Sequence, residues 1–579
     1  MQRRIPIGID DFRELRELGL EYVDKSHLIR EVLDDVGVKV VLLPRPRRFG
    51  KTLNLSMLRC FLEKRDEDLS HLFEGLSITE GGDPYRRHFQ RYSLIHLTFK
   101  GVKLDDYEAC WRAIRSKIEA LFDEHRYLLD SGTLSEREAA EYREVLARTA
   151  DRDVYMRSLA DLSRHLHRHH GEQVVILIDE YDEPIHAGYT NHYLKPILDF
   201  FRAFLTEGLK GNPHLFKGVL TGILRIAKES IFSGLNNLAV YSLLRRPYSG
   251  CFGFNETEVA GLLERAGLAD QLAEVRRWYN GYLFGDTVVY NPWSILNFVH
   301  DGDRVLRNHW LATSSNDLVR DMLQRHALSI QPSIEALLEG GSVVRRVDEN
   351  VVLVDLEREE GALFDLLVFS GYLRAERVVD ESSEEILYRL SIPNREVRDV
   401  YATTFQRWMR ERLGGGEAGI ERLKRALFEG NAEALEEELQ AFTTNVLSYH
   451  DVAARAGASV DAVPAPVSPR LRPEQVYHAF VIGLLATLEP EYEVRSNRES
   501  GRGRPDVMIR PRKAGKPGVV LELKVARPGV KTPEAALDEG LAQIRDRDYA
   551  AELRAAGASP AQAFAVAFDG KLVRVRAAD

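Results

Sequence analysis

The chain has 579 residues, which is long enough for roughly two to four compact domains. Its hydrophobic fraction of 44% and charged fraction of 29% are close to globular averages and exclude collagen-like, fibrous and disordered proteins. A formal net charge of -10 excludes a chain whose whole surface binds a polyanion, although a local basic patch remains compatible with it.

No segment approaches the ~20 consecutive apolar residues that span a bilayer, and the opening MQRRIPIGIDDF has no apolar run after its basic residues. We therefore expect a cytoplasmic protein without membrane association. The three cysteines are far apart and form no CxxC pair, so the sequence predicts neither a disulfide framework nor a cysteine zinc site.

The first part of the chain alternates short apolar runs with amphipathic helical stretches, which is typical of an α/β fold with a doubly wound parallel sheet. Helix-period residues between 105 and 170 predict helical insertions between the second and third strands. Five runs are predicted strands: 38–43 (VKVVLL), 93–99 (SLIHLTF), 173–178 (QVVILI), 216–221 (FKGVLT) and 238–243 (LAVYSL).

The first predicted strand leads into PRPRRFGKT and then a helical pattern, which is the strand-loop-helix context of a phosphate-binding loop. In such a loop the backbone N–H groups cradle phosphates, a lysine reaches the β- and γ-phosphates, and a hydroxyl holds Mg²⁺. These roles fall on Gly50, Lys51 and Thr52. Arg45 occupies the position of the usual first glycine, so a basic turn before an ordinary helix is the alternative.

The third predicted strand ends in Asp179 and Glu180, the form of a Walker B element. Two carboxylates at the end of a buried strand are costly unless they meet a metal or water. We expect Asp179 to hold Mg²⁺ and Glu180 to activate the attacking water. Thr221, at the end of the fourth strand, and Arg225 after it are candidate γ-phosphate sensors.

The remaining chain divides by composition. We predict an ATPase domain over 1–250, a helical lid-like region over 251–335, and a winged-helix-like and helical region over 336–454. A short α+β connector explains the strands of that middle region equally well. An Ala/Pro-rich linker over 455–472 then precedes a second α/β domain over 473–579.

In the aromatic segment 278–296, Asn-Gly and Asn-Pro pairs predict turns, and packing between helices is favoured over base stacking.

The C-terminal domain carries Asp506 and, after fifteen further residues, the pattern Glu522-Leu523-Lys524. Strand alternation places Glu522 and Lys524 on one face, where Asp506 can meet them from the next strand. Two carboxylates that hold Mg²⁺ or Mn²⁺, with a lysine that positions water, suit phosphodiester hydrolysis. Glu474 is a candidate third metal ligand. A solvated edge strand with ordinary charges is the alternative.

These acids lie in a basic stretch. From 495 to 531 there are eleven lysines and arginines against three acidic residues, in a chain that is acidic overall. Such an asymmetry is typical of a surface that contacts a nucleic-acid backbone.

Several segments resemble the AAA-ATPase-like proteins of bacteria and archaea: IPIGIDDFRELRE, YVDKS, RPRRFGKTLNLSML, VVILIDEYDEP, TGILRIAKESIFSGLNNL and YNPWSILNF. The tail resembles the PD-(D/E)XK nuclease superfamily in the segments FVIGLLATL, EVRSNRESGRGRPDVMI, VVLELKV and LAQIRDRDYA. The restriction-endonuclease-like domain of that superfamily is often fused C-terminal to AAA-ATPase-like proteins. The middle, from about 312 to 462, is covered least, and only SGYL and SIPNREVRDVY match there.

The RRFGKT loop of that family also lacks the first glycine. Arg48 and Phe49 of this loop are candidate nucleotide-binding residues. The resemblance implies that the nucleotide is bound through Gly50, Lys51 and Thr52. It also implies a Walker B role for Asp179 and Glu180 and nuclease-type metal residues at Asp506, Glu522 and Lys524. Gln543 and Tyr549 match the helix that follows the nuclease core.

Together these patterns predict a P-loop ATPase coupled to a metal-dependent nuclease, with ATP and Mg²⁺ as cofactors. DNA is favoured over RNA as the substrate, and a homo-oligomer is compatible with the sequence. The alternative function is a nucleotide-dependent switch or scaffold whose C-terminal domain binds nucleic acid or a partner without cutting.

Overall fold

The computed structural model describes residues 4–224, 237–310, 319, 322–323, 327–338, 340–350, 353–357, 359–378, 385–401, 417–446, 488, 491–496, 506–526, 531–569 and 572–578. The chain forms two compact units. One comprises Met1–His326 and Gly340–Asp399, and the other comprises Ala327–Glu339 and Val400–Asp579.

A five-stranded parallel sheet organises the first unit. Its spatial order is β2-β3-β4-β1-β5, so β4 separates the strand before the phosphate loop from the strand that ends in Asp179. Every residue of β1 and β3 is buried, which explains their unbroken apolar sequences. The predicted α/β class is confirmed. The strands are β1 (Val40–Pro44), β2 (Ser93–Thr98), β3 (Val174–Asp179), β4 (Leu215–Gly222) and β5 (Leu238–Val240).

Helices cover this sheet, and three of them (α5, α6 and α7) form the predicted insertion between β2 and β3. Aspartate side chains cap the N-termini of α1 and α5: Asp11 accepts the N–H of Glu14, and Asp106 accepts the N–H of Ala109. The helices are α1 (Phe12–Glu17), α2 (His27–Asp34), α3 (Lys51–Leu62), α4 (Asp83–Arg86), α5 (Tyr107–Glu124), α6 (Glu136–Ala147), α7 (Arg152–His170), α8 (Glu183–Thr190) and α9 (Leu194–Leu209).

The aromatic segment forms a hairpin between helices. The Asn280-Gly281 pair lies at an irregularity inside β6, so the turn predicted there is wrong, and the chain reverses at Gly285. Gly285 has φ +54, and a Cβ there would lie 2.7 Å from the carbonyl oxygen of Arg245. The elements are α10 (Glu256–Arg265), α11 (Leu272–Tyr279), β6 (Asn280–Phe284), β7 (Thr287–Tyr290) and α12 (Pro292–Asp301).

The middle of the chain contributes to both units. Helix α13 (Ala327–Leu338) belongs to the second unit, whereas the following helix and strands belong to the first. The strands form an antiparallel sheet of order β8-β10-β9, in which β8 was not anticipated from sequence. The elements are β8 (Val343–Arg345), α14 (Glu360–Phe369), β9 (Arg374–Val378) and β10 (Leu387–Ser391).

A second five-stranded sheet, of order β11-β12-β13-β14-β15, organises the second unit. Only β13 and β14 pair in parallel; the other pairs are antiparallel. The predicted linker and Glu474 lie outside the described residues. The elements are α15 (Glu417–Glu429), α16 (Ala432–Val446), β11 (Tyr492–Ser496), β12 (Val507–Pro511), β13 (Gly518–Val525), α17 (Pro533–Arg547), α18 (Tyr549–Ala555), β14 (Ala561–Asp569) and β15 (Leu572–Ala577).

Helices α15 and α16 pack on this sheet although they precede the predicted linker in sequence. Leu427 and Leu435 share one hydrophobic cluster with Val519, Phe564 and other residues of the strands. Side chains of α16 also accept hydrogen bonds from the backbone of the edge strand β15: Gln440 binds the N–H of Val573 at 2.9 Å, and Glu436 that of Val575 at 2.8 Å. The two helices therefore bury one face of the sheet and cover its edge.

None of the helices that the structure describes combines the length and the apolar character needed to cross a membrane.

Because Leu427 is fully buried in this cluster, Leu427→Ala should destabilise the second sheet by about 3 kcal/mol. Native-state hydrogen exchange of the amides in β13 and β14 measures that loss directly. Glu437→Ala, at an exposed position of α16, is the control and should leave exchange unchanged. Equal protection in both variants would mean that α15 and α16 do not support the sheet.

Candidate functional site

The phosphate loop connects the end of β1 to the start of α3. Gly50 precedes the helix with φ +82 and ψ +20, and Arg48 also has a left-handed backbone, with φ +67. A left-handed residue directly before a helix turns the following N–H groups toward the loop, where the positive end of the helix dipole favours an anion. The predicted loop therefore has the geometry of an anion-binding helix start.

Lys51 is held inside the loop. Its ammonium group donates to the carbonyl oxygens of Arg45 and Pro46, both at 3.1 Å, and the residue is 6% exposed. Burial lowers the pKa of Lys51, while the charge of Glu180 acts in the opposite direction. The lysine is thus placed in the loop by backbone oxygens.

Asp179 links the end of β3 to β4 and to the start of α3. Its carboxylate is fully buried and accepts the Thr52 hydroxyl at 2.7 Å and the Thr221 hydroxyl at 2.5 Å. Thr52 follows β1, Thr221 lies on β4, and Asp179 ends β3, so the strand order brings the three together. Arg225, predicted beside Thr221, lies outside the described residues.

Glu180 follows Asp179 in a left-handed conformation, with φ +50. Burial raises its pKa to about 7; Asp179 and Glu183 act in the same direction, and Lys51 acts against them. A carboxyl with a pKa near neutrality can accept a proton and return it at the same pH.

Asp182 is a further buried carboxylate that sequence reasoning missed. One of its oxygens accepts the N–H groups of Ile223 at 2.8 Å and Leu224 at 3.1 Å, directly after β4. A Cβ on Gly222 would lie 2.7 Å from this carboxylate, so only glycine fits there. The sequence carries no local signal for this contact, because the bound N–H groups lie 41 and 42 residues further along the chain.

Arg45 explains how the loop dispenses with its first glycine. The guanidinium is fully buried and donates to the carbonyl oxygens of Pro44 at 2.8 Å, Tyr241 at 2.7 Å and Tyr248 at 3.1 Å. It also lies over the ring of Phe252, 5.0 Å from its centroid. Burial lowers the pKa of Arg45 to about 10, which leaves it charged at neutral pH. Arg45 thus ties the loop to the segment after β5.

The other loop side chains contact the aromatic hairpin region. Phe49 is buried, with its ring 5.0 Å from those of both Tyr282 and Phe284. The Arg48 guanidinium lies over the ring of Trp293, 4.3 Å from its centroid. Phe49 therefore anchors the loop on the hairpin, and both Phe49 and Arg48 line the cleft beside the loop.

A cleft with a volume of about 420 Å³ opens beside the loop, within the size range of small-molecule sites. Its walls come from several parts of the first unit: the loop and α3, the segment after β3, the turn after β2, and the N-terminal segment with α12. Lining residues include Asp10, Lys51, Thr52, Lys100, Glu180 and Trp293.

The second candidate site lies at β12 and β13. Lys524 donates to a Glu522 oxygen at 2.8 Å, and Asp506 accepts the N–H of Leu523 at 2.8 Å. Pairing of Val507 with Leu521 places Asp506 opposite Glu522, so the three predicted side chains converge. Lys524 also donates to Gln543 at 2.8 Å, and Gln543 donates to Tyr549 at 3.3 Å.

Glu522 is fully buried, and burial, followed by the charge of Asp506, raises its pKa to about 7. Its second oxygen has no hydrogen-bond partner among the described residues. Buried carboxylate oxygens that lack a partner are costly, and oxygen ligands are those that Mg²⁺ and Mn²⁺ prefer. Asp506 and Glu522 therefore fit a divalent cation.

The predicted basic surround is described only in part, because Arg498, Arg502, Arg504 and Arg527 lie outside the described residues. Lys516 pairs with Glu491 at 3.0 Å, and Lys531 pairs with Glu539. These two counted charges, like that of Lys524 beside Glu522, are thus balanced locally.

Comparison with known proteins gives two family matches and one curated relative. Residues 6–232 match a family described as predicted AAA-ATPase, and residues 472–577 match the PD-(D/E)XK nuclease superfamily. An uncharacterized protein in the vnfD 5' region of Azotobacter chroococcum mcd 1 is 30% identical over 402 residues, which make up 69% of each chain. These matches confirm the resemblance inferred from sequence.

The Arg45 contacts predict that introducing the usual glycine at this position destabilises the first unit. Arg45→Gly restores the usual P-loop pattern, yet it should lower the free energy of unfolding of the first unit by about 3 kcal/mol, because three carbonyl oxygens, two of them buried, lose their donor. Arg45→Lys should recover only part of the loss, since an ammonium group cannot reproduce the planar guanidinium. Chemical unfolding followed by tryptophan fluorescence measures both. An Arg45→Gly variant as stable as the parent would contradict this role.

Proposed function

The chain belongs to the AAA-ATPase-like family and carries a C-terminal PD-(D/E)XK nuclease-superfamily domain, and on that premise we propose that it hydrolyses ATP and cleaves nucleic acid at a metal-dependent site. The observation that carries the ATPase half is the contact of Asp179 with both Thr52 and Thr221. We further propose that the nucleotide state controls access of the nucleic acid to the nuclease site, and that DNA is the preferred substrate over RNA.

In the cleft, the N–H groups at the start of α3 and the ammonium group of Lys51 bind the phosphates. Thr52 and Asp179 would hold Mg²⁺, which neutralises charge on the phosphate oxygens when bound. Glu180 faces the same cleft and takes a proton from the attacking water, a role that its pKa of about 7 supports. Thr221 orients Asp179 through its hydroxyl.

In the second unit, Asp506 and Glu522 would hold Mg²⁺ or Mn²⁺, with Glu474 proposed as a third ligand. The ion supplies Lewis-acid stabilisation of a phosphodiester oxygen. Lys524 bridges Glu522 and Gln543, so its ammonium group is held where it can orient water and stabilise negative charge. Gln543 and Tyr549 form one side of this arrangement and are proposed contacts for the substrate.

For the ATPase, Lys51→Ala should weaken ATP binding by about tenfold or more, because the buried cation is lost. Glu180→Gln should bind ATP normally and lower turnover by about 100-fold or more. Equilibrium binding of a fluorescent ATP analogue and phosphate-release assays measure the two effects. Glu207→Gln, on an exposed face of α9, is the matched control. Unchanged turnover in Glu180→Gln would place the base elsewhere.

For the nuclease, Asp506→Asn and Lys524→Ala should each abolish Mg²⁺- or Mn²⁺-dependent cleavage while leaving the fold intact. Labelled single- and double-stranded DNA and RNA, incubated with and without ATP, report cleavage and substrate choice together. Lys516→Ala, which removes a lysine paired with Glu491, is the control for lost positive charge. Cleavage that persists in both variants removes the assignment, and binding without cleavage by the parent protein supports the switch or scaffold.

A further inference from the structure

The turn after β2 places a lysine at the edge of the nucleotide cleft. Thr98, the last residue of β2, pairs with Asp179, and the N–H of Phe99 donates to the Asp179 carbonyl oxygen at 3.0 Å. Lys100 therefore follows β2 at the level where Glu180 follows β3. Both side chains line the same cleft as Lys51.

The Walker B segment also fixes this turn. The N–H of Gly101 donates to the Glu183 carboxylate at 2.9 Å, and the N–H of Lys100 donates to the Thr98 hydroxyl at 3.2 Å. Gly101 has φ +83, a conformation that favours glycine. These hydrogen bonds hold the backbone at Lys100 and Gly101, so the Lys100 side chain starts from a fixed position beside Glu180.

The ammonium group of Lys100 forms an ion pair with Asp10 of the N-terminal segment. That segment is anchored to the helix of the phosphate loop: the N–H of Phe12 donates to the Ser56 hydroxyl at 2.9 Å, and this hydroxyl donates to Asp11 at 3.0 Å. The Lys100–Asp10 pair thus joins the α3 side of the cleft to the Walker B side.

We propose that Lys100 contacts the terminal phosphate of the bound nucleoside triphosphate and that Asp10 holds its ammonium group in the nucleotide-free protein. This inference rests on the proposed ATP-binding function. Glu180 is placed for water attack on the γ-phosphate, so a cation beside it lies nearer the γ-phosphate than the base or ribose.

The charge and exposure of Lys100 and Asp10 support an exchange in which Lys100 leaves Asp10 and binds the terminal phosphate. The Lys100 and Asp10 side chains are 58% and 51% exposed, and ion pairs this accessible to water are weak. A triphosphate with its metal offers several anionic oxygens in a less solvated cleft, where a charge-assisted contact is stronger. A diphosphate lacks the group that Lys100 would contact.

The test compares ATP and ADP binding to the full-length protein by isothermal titration calorimetry with Mg²⁺. Lys100→Ala should weaken ATP binding by about tenfold and change ADP binding by less than about twofold, and Lys100→Arg should retain most of the ATP affinity. Asp10→Asn should act in the opposite direction and strengthen ATP binding by up to about fivefold, because Lys100 is released.

Lys195→Ala is the matched control, since it removes an exposed lysine paired with Asp199 on α9, outside the cleft lining. If the ion pair were only a structural strut, Lys100→Ala and Asp10→Asn would shift both nucleotides in the same direction, which would overturn the proposal. Unchanged ATP affinity in Lys100→Ala would overturn it too. Absence of ATP binding by the parent protein would instead refute the proposed ATPase function.

Discussion

The buried carboxylate of Asp179 is the constraint around which the first unit is arranged. A buried carboxylate requires hydrogen-bond donors, and here the hydroxyls of Thr52 and Thr221 each donate to one of its oxygens. Because Asp179 ends β3, Thr221 lies on β4 and Thr52 lies at the start of the helix that follows β1, the order β3-β4-β1 brings them together. The same contact sets the start of α3 beside the end of β3, so that Lys51 and Glu180 line one cleft.

The phosphate loop depends on residues far along the chain. The guanidinium of Arg45 is bonded to backbone carbonyls near residues 241 and 248, and Phe49 packs on the hairpin β6–β7. These partners lie beyond the 6–232 segment that matches the ATPase family. The structural unit that supports nucleotide binding is therefore larger than the family match, since a loop with few glycines obtains its shape from side-chain contacts instead.

The second unit follows the same principle on another five-stranded sheet. Its central strands carry Glu522 and Lys524 at the point where β13 and β14 run in parallel, and Gly540 of α17 allows close packing over both side chains. The opposite face is buried by α15 and α16, which precede the 472–577 segment that matches the nuclease superfamily. In both units, apolar packing on the faces of the sheet fixes the strands, and the strands in turn orient the charged side chains that they carry.

Local patterns in the sequence by themselves determined the strands of the parallel sheet, the loop between β1 and α3, and the convergence of Asp506, Glu522 and Lys524. Burial on both faces and strand alternation leave a direct trace in residue order. Only the tertiary structure decided that Thr221 shares Asp179 with Thr52, that Arg45 supports the loop, that Lys100 meets Asp10, and that α15 and α16 complete the second sheet. Each of these contacts joins residues brought together by strand order or by packing between distant segments, and such long-range pairs have no periodic signal in a single sequence.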